Sequence, residues 1–436
     1  MSPIKWHSST YHRVFLSNLV LNTAVFALLE IFLHPGVHTS SVAVTTYLLL
    51  TVVTRNEYFV NSLFAVFVDK STHLSLPLRR HFARVYCYHG ALHSSFAFAA
   101  LMWHLALTIK LIQKDVSTRI ETSTSCFVLS SMVLIILFAL PFMRRLHHNC
   151  FECVHRYCAW ALLLIFWMQL ILTVREDALL SHMNFWKLFL SDVRVWEVSL
   201  ITGFVIFPWL HLRKRVVECR RLSSHALVLN FGHRIVSFGQ AIRVTDSPLR
   251  ETHAFAVIPN IRSSIAGLSE EEKKVWHVDQ KGFSIIISRA GDWSGRIIDN
   301  PPSRIWTRGL PQLGTVRVVK LFRPCIVMAT GSGIGPCLSL FVEQPSHPVK
   351  IVWSARAPLE TYGSAIMTTI RRMDPTAIIH DTQKLGRPDL VQVARNLWEH
   401  GSFEAVVFIS NMKATREVTR GLEKNGIRAY GVIFDS

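Results

Sequence analysis

Long, nearly charge-free apolar segments confined to the first half constrain this chain more than any other feature. They run near Val14 to Leu33, Ser41 to Thr54, Val85 to Ile112, Cys126 to Met143, Val154 to Val174 and Val195 to Leu212. A helix crosses a bilayer with about 20 apolar residues, so several of these are long enough, the second being short. In hydrocarbon every backbone group must be bonded within the segment, which predicts helices. The whole chain agrees: 50% of its 436 residues are hydrophobic, only 17% are charged, and the mean hydropathy is +0.30. That is too apolar for a soluble protein of this length. The first segment follows Lys5, His7, His12 and Arg13 in the manner of a signal peptide. It lacks a small-residue cleavage site and is too long for a signal core, so it is read as a span.

Basic residues gather in three connections: Lys70, Arg79, Arg80 and Arg84; Arg144 and Arg145; and Arg213, Lys214, Arg215, Arg220 and Arg221. The bias of positive charge towards the cytosol places all three there, giving an integral, multi-pass protein of six spans with both termini cytosolic. The formal charge of +18 then faces anionic lipids of the bilayer, and no nucleic-acid partner is expected. The 8 scattered cysteines form no disulfide framework and are read as free thiols.

After Arg221 the texture changes to short β-rich runs at Ala226 to Phe231, Ile235 to Val244, Ala254 to Ile258, Phe283 to Ser288 and Val316 to Phe322. Gly-, Pro- and Ser-rich connections between them predict a small antiparallel barrel, with Glu270 to Lys274 a solvated turn or short helix. From Pro324 strands and helices alternate to Phe434, the pattern of a parallel, doubly wound nucleotide-binding sheet. Its first strand runs into Val327-Met-Ala-Thr-Gly-Ser-Gly-Ile-Gly-Pro-Cys337. Gly331, Gly333 and Gly335 let the backbone turn close to a ligand, and the next helix aims its amide-rich end at it, a setting for a pyrophosphate. The expected domains are a helical domain at 1–221, a barrel at 222–323 and an α/β domain at 324–436.

Histidines inside spans are functional suspects. The third segment carries His89, His93 and His104, and His155 begins the fifth. His93 and His104 are eleven residues apart and return to one helix face about 16 Å apart along its axis. The third and fifth segments run in the same direction, so His93 and His155 reach similar depth, as bis-histidine haem ligation requires. Cys150 and Cys153, with His147, His148 and His155 nearby, lack the second pair that would complete a tetrahedral zinc set. Glu30 and His34 are spaced as a local pair.

In these histidines, and in Arg55-Asn56 and Phe151-Glu152, the first half resembles the ferric reductase and NADPH oxidase superfamily. That resemblance implies histidine pairs holding two stacked haems. The superfamily repeats each histidine thirteen or fourteen residues on, where the fifth segment has Met168 and Gln169, so only an inner haem b on His93 and His155 is implied. The second half resembles the ferredoxin–NADP reductase module, which implies FAD and NADP (or NAD). By that resemblance Thr330, Gly331, Gly333, Gly335 and Pro336 hold the nicotinamide nucleotide, and Ser354 and Arg356 its 2′-phosphate. Gly291 and Ser294 hold the flavin pyrophosphate, and His253 and Phe255 the flavin itself. Ala256 stands where the module has a hydroxyl, and Ser410 where it has a cysteine beside the nicotinamide, so Ser410 is the candidate catalytic residue.

Most of the chain is similar to the fungal TmpA-type integral membrane proteins: His155-Arg-Tyr, Ser288-Arg-Ala-Gly-Asp-Trp293, Trp353-Ser, Gly386-Arg-Pro-Asp389, Ile409-Ser-Asn411 and Asp435-Ser436 carry the likeness. In that family similar regions also form the tail of adenylate-forming, synthetase-like proteins. The implied function is a membrane-bound NAD(P)H-dependent flavin oxidoreductase. It passes electrons to an inner haem, or to an unknown small-molecule electron acceptor in signalling or secondary metabolism. The alternative is a non-catalytic membrane sensor or scaffold that keeps a degenerate nucleotide-binding module.

Overall fold

The computed structural model describes residues 10–113, 119–261, 268–276 and 280–433. Lys5, His7, Phe434 and Asp435-Ser436 lie outside them. The chain divides into two compact units, one made of 1–56 with 88–207 and the other of 57–87 with 208–436.

The first unit is helical. Among the described residues five helices are long and apolar enough to cross a membrane: Thr10–Phe32, Gly90–Gln113, Arg119–Ala139, His148–Leu180 and Val193–Leu210. A sixth is added if the bent pair Val37–Val53 and Glu57–Asp69 counts as one span. Val44, Trp103, Leu107 and Leu111 form one apolar core, and Ala100, Val128, Met132 and Leu162 another. Many large apolar side chains face outward instead, among them Val20, Leu28, Leu164 and Leu200. Several polar groups inside are bonded to one another: the Glu197 carboxylate accepts from the Thr45 and Thr46 hydroxyls, and Asn18 Nδ2 donates to Ser95 Oγ. Glu30 pairs with Lys110 Nζ at 2.6 Å rather than with His34, because an ammonium in this apolar setting requires a carboxylate.

The second unit contains thirteen described strands. The first eight are β1 (Arg213–Val216), β2 (Glu218–Arg221), β3 (Ala226–Phe231), β4 (Gln240–Thr245), β5 (His253–Ala256), β6 (Ile258–Pro259), β7 (Phe283–Ser288) and β8 (Arg304–Leu313). They form two four-stranded antiparallel sheets, ordered β1-β8-β4-β5 and β2-β3-β7-β6. Leu227, Leu229, Phe231, Ile285 and Ile287 from one sheet and Ile242, Val244 and Ile305 from the other share one core. Strand β4 starts only after Gly239, whose φ of +75° makes the turn that ends the expected run from Ile235.

The segment expected to be a strand at Val316 to Phe322 is instead a tight helix, Thr315–Leu321. Its buried residues fall into two rows of period three, Thr315, Val318, Leu321 and Val316, Val319, which suits three residues per turn. β-Branched composition alone suggested a strand. The geometry of burial decided otherwise.

The remaining strands are β9 (Cys325–Thr330), β10 (Val349–Ala355), β11 (Ile378–Asp381), β12 (Ala405–Ser410) and β13 (Ala429–Ile433). All pair in parallel in the order β11-β10-β9-β12-β13. Helices Ile334–Glu343, Ser364–Met373, Leu390–His400 and Met412–Lys424 alternate with them. Both faces are covered: Val327, Ile351, Val407 and Tyr430 lie in one core, and Ile326, Met328, Val352 and Phe408 in another. Each such side chain contributes about 1.5–3 kcal/mol on burial.

Candidate functional site

In a doubly wound sheet the crevice opens where the chain leaves the central strand in two directions, beyond the carboxyl ends of the strands. Here that point lies between β9 and β12, where Ala329 stands opposite Ile409. Thr330 ends β9 and Ser410 ends β12, and their hydroxyls are hydrogen-bonded across the gap. Ser410 is buried, and its carbonyl accepts from Thr415 Oγ1 at 3.1 Å.

The glycine turn is wound tightly over this point. Gly331 has φ +49°, a region that favours glycine, and its carbonyl accepts from the Trp353 indole at 3.0 Å. A Cβ at Gly333 would collide with the Ile409 carbonyl oxygen, so only glycine lets the turn lie against β12. At Gly335 the reverse holds: an added Cβ meets nothing within 4 Å. Pro336 follows in the first turn of the helix Ile334–Glu343, where its missing N–H costs little. The result is a tight backbone beside open space at a helix start.

Ser354 on β10 stands opposite Thr330 and is buried. Arg356 lies just past the strand and is exposed, with Nε 3.4 Å from Gln383 Oε1. The nearby Asp381 carboxylate accepts the amides of Ala357 and Gln383, both at 2.9 Å. Burial opposes that charge, yet those amides and Lys384 hold its pKa below the ordinary value.

One residue was missed from the sequence. Tyr362 is buried against Trp353 in an edge contact, and its hydroxyl would sit 3.9 Å from a Cβ at Gly331. Burial pushes the phenol's pKa up, and the neighbouring Ser288 side chain at the end of β7 in the antiparallel part opposes the shift. Tyr362 therefore stands near both the glycine turn and the end of β7. No spacing or motif in the sequence singles it out.

The candidate flavin residues also converge. Strand alternation puts His253 and Phe255 on one face, and the Trp293 ring lies over both, at 4.2 Å and 5.9 Å between ring centres. Phe255 remains partly exposed. A Cβ on Gly291 would meet nothing within 4 Å, so the start of the helix Asp292–Asp299 is open. The Ser294 hydroxyl is not free for a phosphate. It accepts the amides of Ala290 and Gly291 at 2.9 and 3.0 Å and donates to the Gly291 carbonyl. The first amides of that helix have no partner inside it. Ala256 offers no hydroxyl.

In the helical unit His93 and His155 do face one another, with ring centres 6.3 Å apart. Two imidazole nitrogens each ~2.0–2.1 Å from one metal would bring the ring centres to roughly 6 Å. His93 Nδ1 lies 2.9 Å from the Thr51 carbonyl, which fixes its proton there and leaves Nε2 as the available lone pair. His155 lies in a π-turn, Val154–Cys158, and its buried Nδ1 has no hydrogen-bond partner. His104 belongs to no such pair: Nε2 lies 3.1 Å from the Ser125 carbonyl, and Phe166 packs against its ring. Gln169, where a second ligand would stand, donates to Thr124 Oγ1.

With this geometry in hand, known proteins supply one further observation. The chain is similar to adenylate-forming reductases. Two from Coprinopsis cinerea, adenylate-forming reductases 03009 and 06235, are each 33% identical to it, over 433 and 434 residues. Each alignment covers 98% of this chain and 40% of the relative, so the chain spans about 40% of the length of the curated relatives it matches. Residues 315–436 match the family described as the C-terminal domain of adenylate-forming reductase 03009. Among solved structures, a ferredoxin reductase in carbazole 1,9a-dioxygenase aligns at 17% identity with a TM-score of 0.37, covering 51% of this chain and 70% of that one.

Proposed function

We propose that this chain is a membrane-bound, NAD(P)H-dependent flavin oxidoreductase of the TmpA type. It would be embedded through six spans with both termini cytosolic, and divided near residues 221 and 323. The observation that carries the reading is the crevice between β9 and β12. There a glycine turn with open space at Gly335 adjoins the bonded pair Thr330 and Ser410, and Tyr362 packs on Trp353 beside the turn.

In this reading the amides around Gly331 to Gly335 and the helix behind them hold the nucleotide pyrophosphate, and Arg356 takes a 2′-phosphate through its fork. Ser410, fixed by Thr330, positions the nicotinamide end. The start of the helix at Asp292 takes the flavin pyrophosphate, and Phe255 stacks on the flavin ring. Bound FAD supplies two-electron acceptance from the nicotinamide and one-electron release. His93 and His155 would ligate one inner haem b as the next carrier. The outward apolar side chains of the long helices support a lipid setting.

The test is a visible spectrum of the purified full chain with and without NADPH under anaerobic conditions. A flavin absorption that NADPH bleaches is expected. Nucleotide binding without any flavin signal would refute the enzyme and leave the sensor or scaffold reading, which Ala256 and the committed Ser294 hydroxyl favour. A Soret band separates transfer to haem from transfer to a small organic substrate.

A further inference from the structure

The β1-β8-β4-β5 sheet carries His253 and Phe255 on one edge strand, β5. Towards the other edge, at β1 and β8, it borders a cavity of about 230 Å³, against the ~30 Å³ that a water occupies in the liquid. His211, Arg213, Arg215, His233, Arg234 and Arg308 line it together with Ile242 and Phe283, and among the described residues no carboxylate does. Four guanidinium groups around one hollow repel each other unless something negative sits between them.

Several of these groups are held in place. Arg308 lies over the Trp209 ring at 4.9 Å and donates to Thr252 Oγ1 at 3.1 Å. Arg213 donates to the Leu210 and Leu212 carbonyls at 3.0 and 2.8 Å. Others wait for a partner. Arg215 Nε and His233 Nδ1 are buried without one, and among the described residues Arg213, Arg215 and Arg234 form no ion pair. The carboxylate behind Gly309 is Glu57, and it is spent on Arg243 Nη1 at 2.8 Å and the Leu310 amide at 2.6 Å. The cationic field is strong enough to act on its own lining. Burial first, then Arg215, Arg234 and Lys281, hold the His233 pKa down at about 4.

We propose that this cavity is a binding site for a phosphate-bearing anion, gripped by the guanidinium forks of Arg215, Arg234 and Arg308. Planar forks match phosphate oxygens two at a time, and a buried donor left unpaired costs about 1–3 kcal/mol that such a ligand would recover. The phosphate has two possible sources, a lipid headgroup or a soluble metabolite. The helix Val193–Leu210 ends one residue before His211, which brings the first into question.

Both sources can be tested on the full chain in uncharged detergent, by titrating inorganic pyrophosphate and, separately, dioctanoyl phosphatidic acid with calorimetry. Saturable binding of at least one is expected. The variant Arg215→Gln/Arg234→Gln should weaken it by roughly tenfold or more, while Arg395→Gln, a surface change on the helix Leu390–His400, leaves it unchanged. Arg234→Gln alone, on an exposed loop residue, guards against a folding defect and should weaken binding in the same direction. Phosphatidic acid binding that pyrophosphate displaces only poorly assigns a lipid; the reverse order assigns a soluble anion. If neither ligand saturates, or if binding survives both arginine changes, the proposal is wrong.

Discussion

Gly333 and Gly335 stand two residues apart in one turn, yet the structure assigns them opposite constraints, and paired alanine substitutions separate those constraints. A Cβ at Gly333 strikes the Ile409 carbonyl oxygen, a backbone atom of a central strand that cannot move aside cheaply. Overpacking of that kind costs about 1–3 kcal/mol. At about 2–4 °C per kcal/mol for a domain of this size, Gly333→Ala should lower Tm by roughly 2–12 °C. At Gly335 a methyl meets nothing within 4 Å, and in a helix first turn alanine gains up to about 1 kcal/mol over glycine, so Tm should hold or rise. The open space is where the nucleotide backbone is expected to approach. A methyl there should cost binding about 1–3 kcal/mol, and at 1.4 kcal/mol per tenfold NADPH affinity should fall roughly tenfold or more. Thermal unfolding followed by intrinsic fluorescence reads the first quantity, and an NADPH fluorescence titration reads the second. Gly335→Ala binding NADPH at wild-type affinity would show that the turn does not cradle the phosphates, and the functional reading would fall with it.

Arg356→Gln should raise the Kd for NADPH by roughly tenfold and leave that for NADH nearly unchanged, since only the first carries the 2′-phosphate; equal effects on both would remove Arg356 from that role. His155→Ala should abolish a Soret band while leaving the flavin signal, and a band that persists would exclude His155 as a ligand. Burial pushes the Glu404 carboxyl's pKa up, but Arg79, bonded at 2.8 and 3.0 Å, and the Arg323 amide outweigh it and hold it below the ordinary value. The same balance lowers Asp69 through Arg317 and Lys320. A carboxyl depressed on folding stabilises fully above its unfolded pKa of ~4.3 or ~3.9 and loses that contribution as pH falls through the folded value. Tm should therefore drop as pH falls below about 4, and Arg79→Ala should make the drop shallower; an unchanged acid profile would refute the pairing.

What the sequence made legible follows from how local each signal is. The alternation after Pro324 appears because the central parallel strands are buried on both faces and the helices Ser364–Met373, Leu390–His400 and Met412–Lys424 are amphipathic, so these elements announce themselves. Strand β9, the glycine turn and the helices to Lys424 stand close to where the sequence put them. Strands β1, β2 and β8 were not legible: Arg213–Val216 and Glu218–Arg221 are rich in charge, and their place depends on partners far along the chain. Ser294 illustrates a different limit. Its position in the helix turn was readable, but whether its hydroxyl faces a ligand or its own backbone is settled by atoms three and four residues away. Tyr362 gave no signal because its role comes from meeting Ser288 and Gly331, which its own neighbours do not encode.

The connection at 57–87 shows how charge counting misleads when tertiary partners are unseen. Arg79 and Arg80 look like lipid-facing cations between two apolar segments. In the structure Arg79 pairs with the Glu404 carboxylate and bonds the Leu321 carbonyl, while Arg80 donates to the Glu404 carbonyl and Tyr430 Oη donates back to Arg80. Asp69 takes Arg317 and Lys320, and Asn61 bonds both the amide of Leu313 at 2.7 Å and the carbonyl of Pro311 at 3.1 Å. Strand β8, the turn Thr315–Leu321 and the entry to β12 are thus held by one short stretch of chain. Several of these groups are only partly exposed, so removing the stretch would leave charges without partners, which costs more than an exposed pair is worth. The residues that flank the candidate crevice at β12 therefore depend on a segment some 320 positions earlier, Arg79 with Glu404 being 325 apart. A positive cluster beside an apolar segment identifies a lipid contact only when no acidic partner reaches it from elsewhere in the chain. Here Glu404 does.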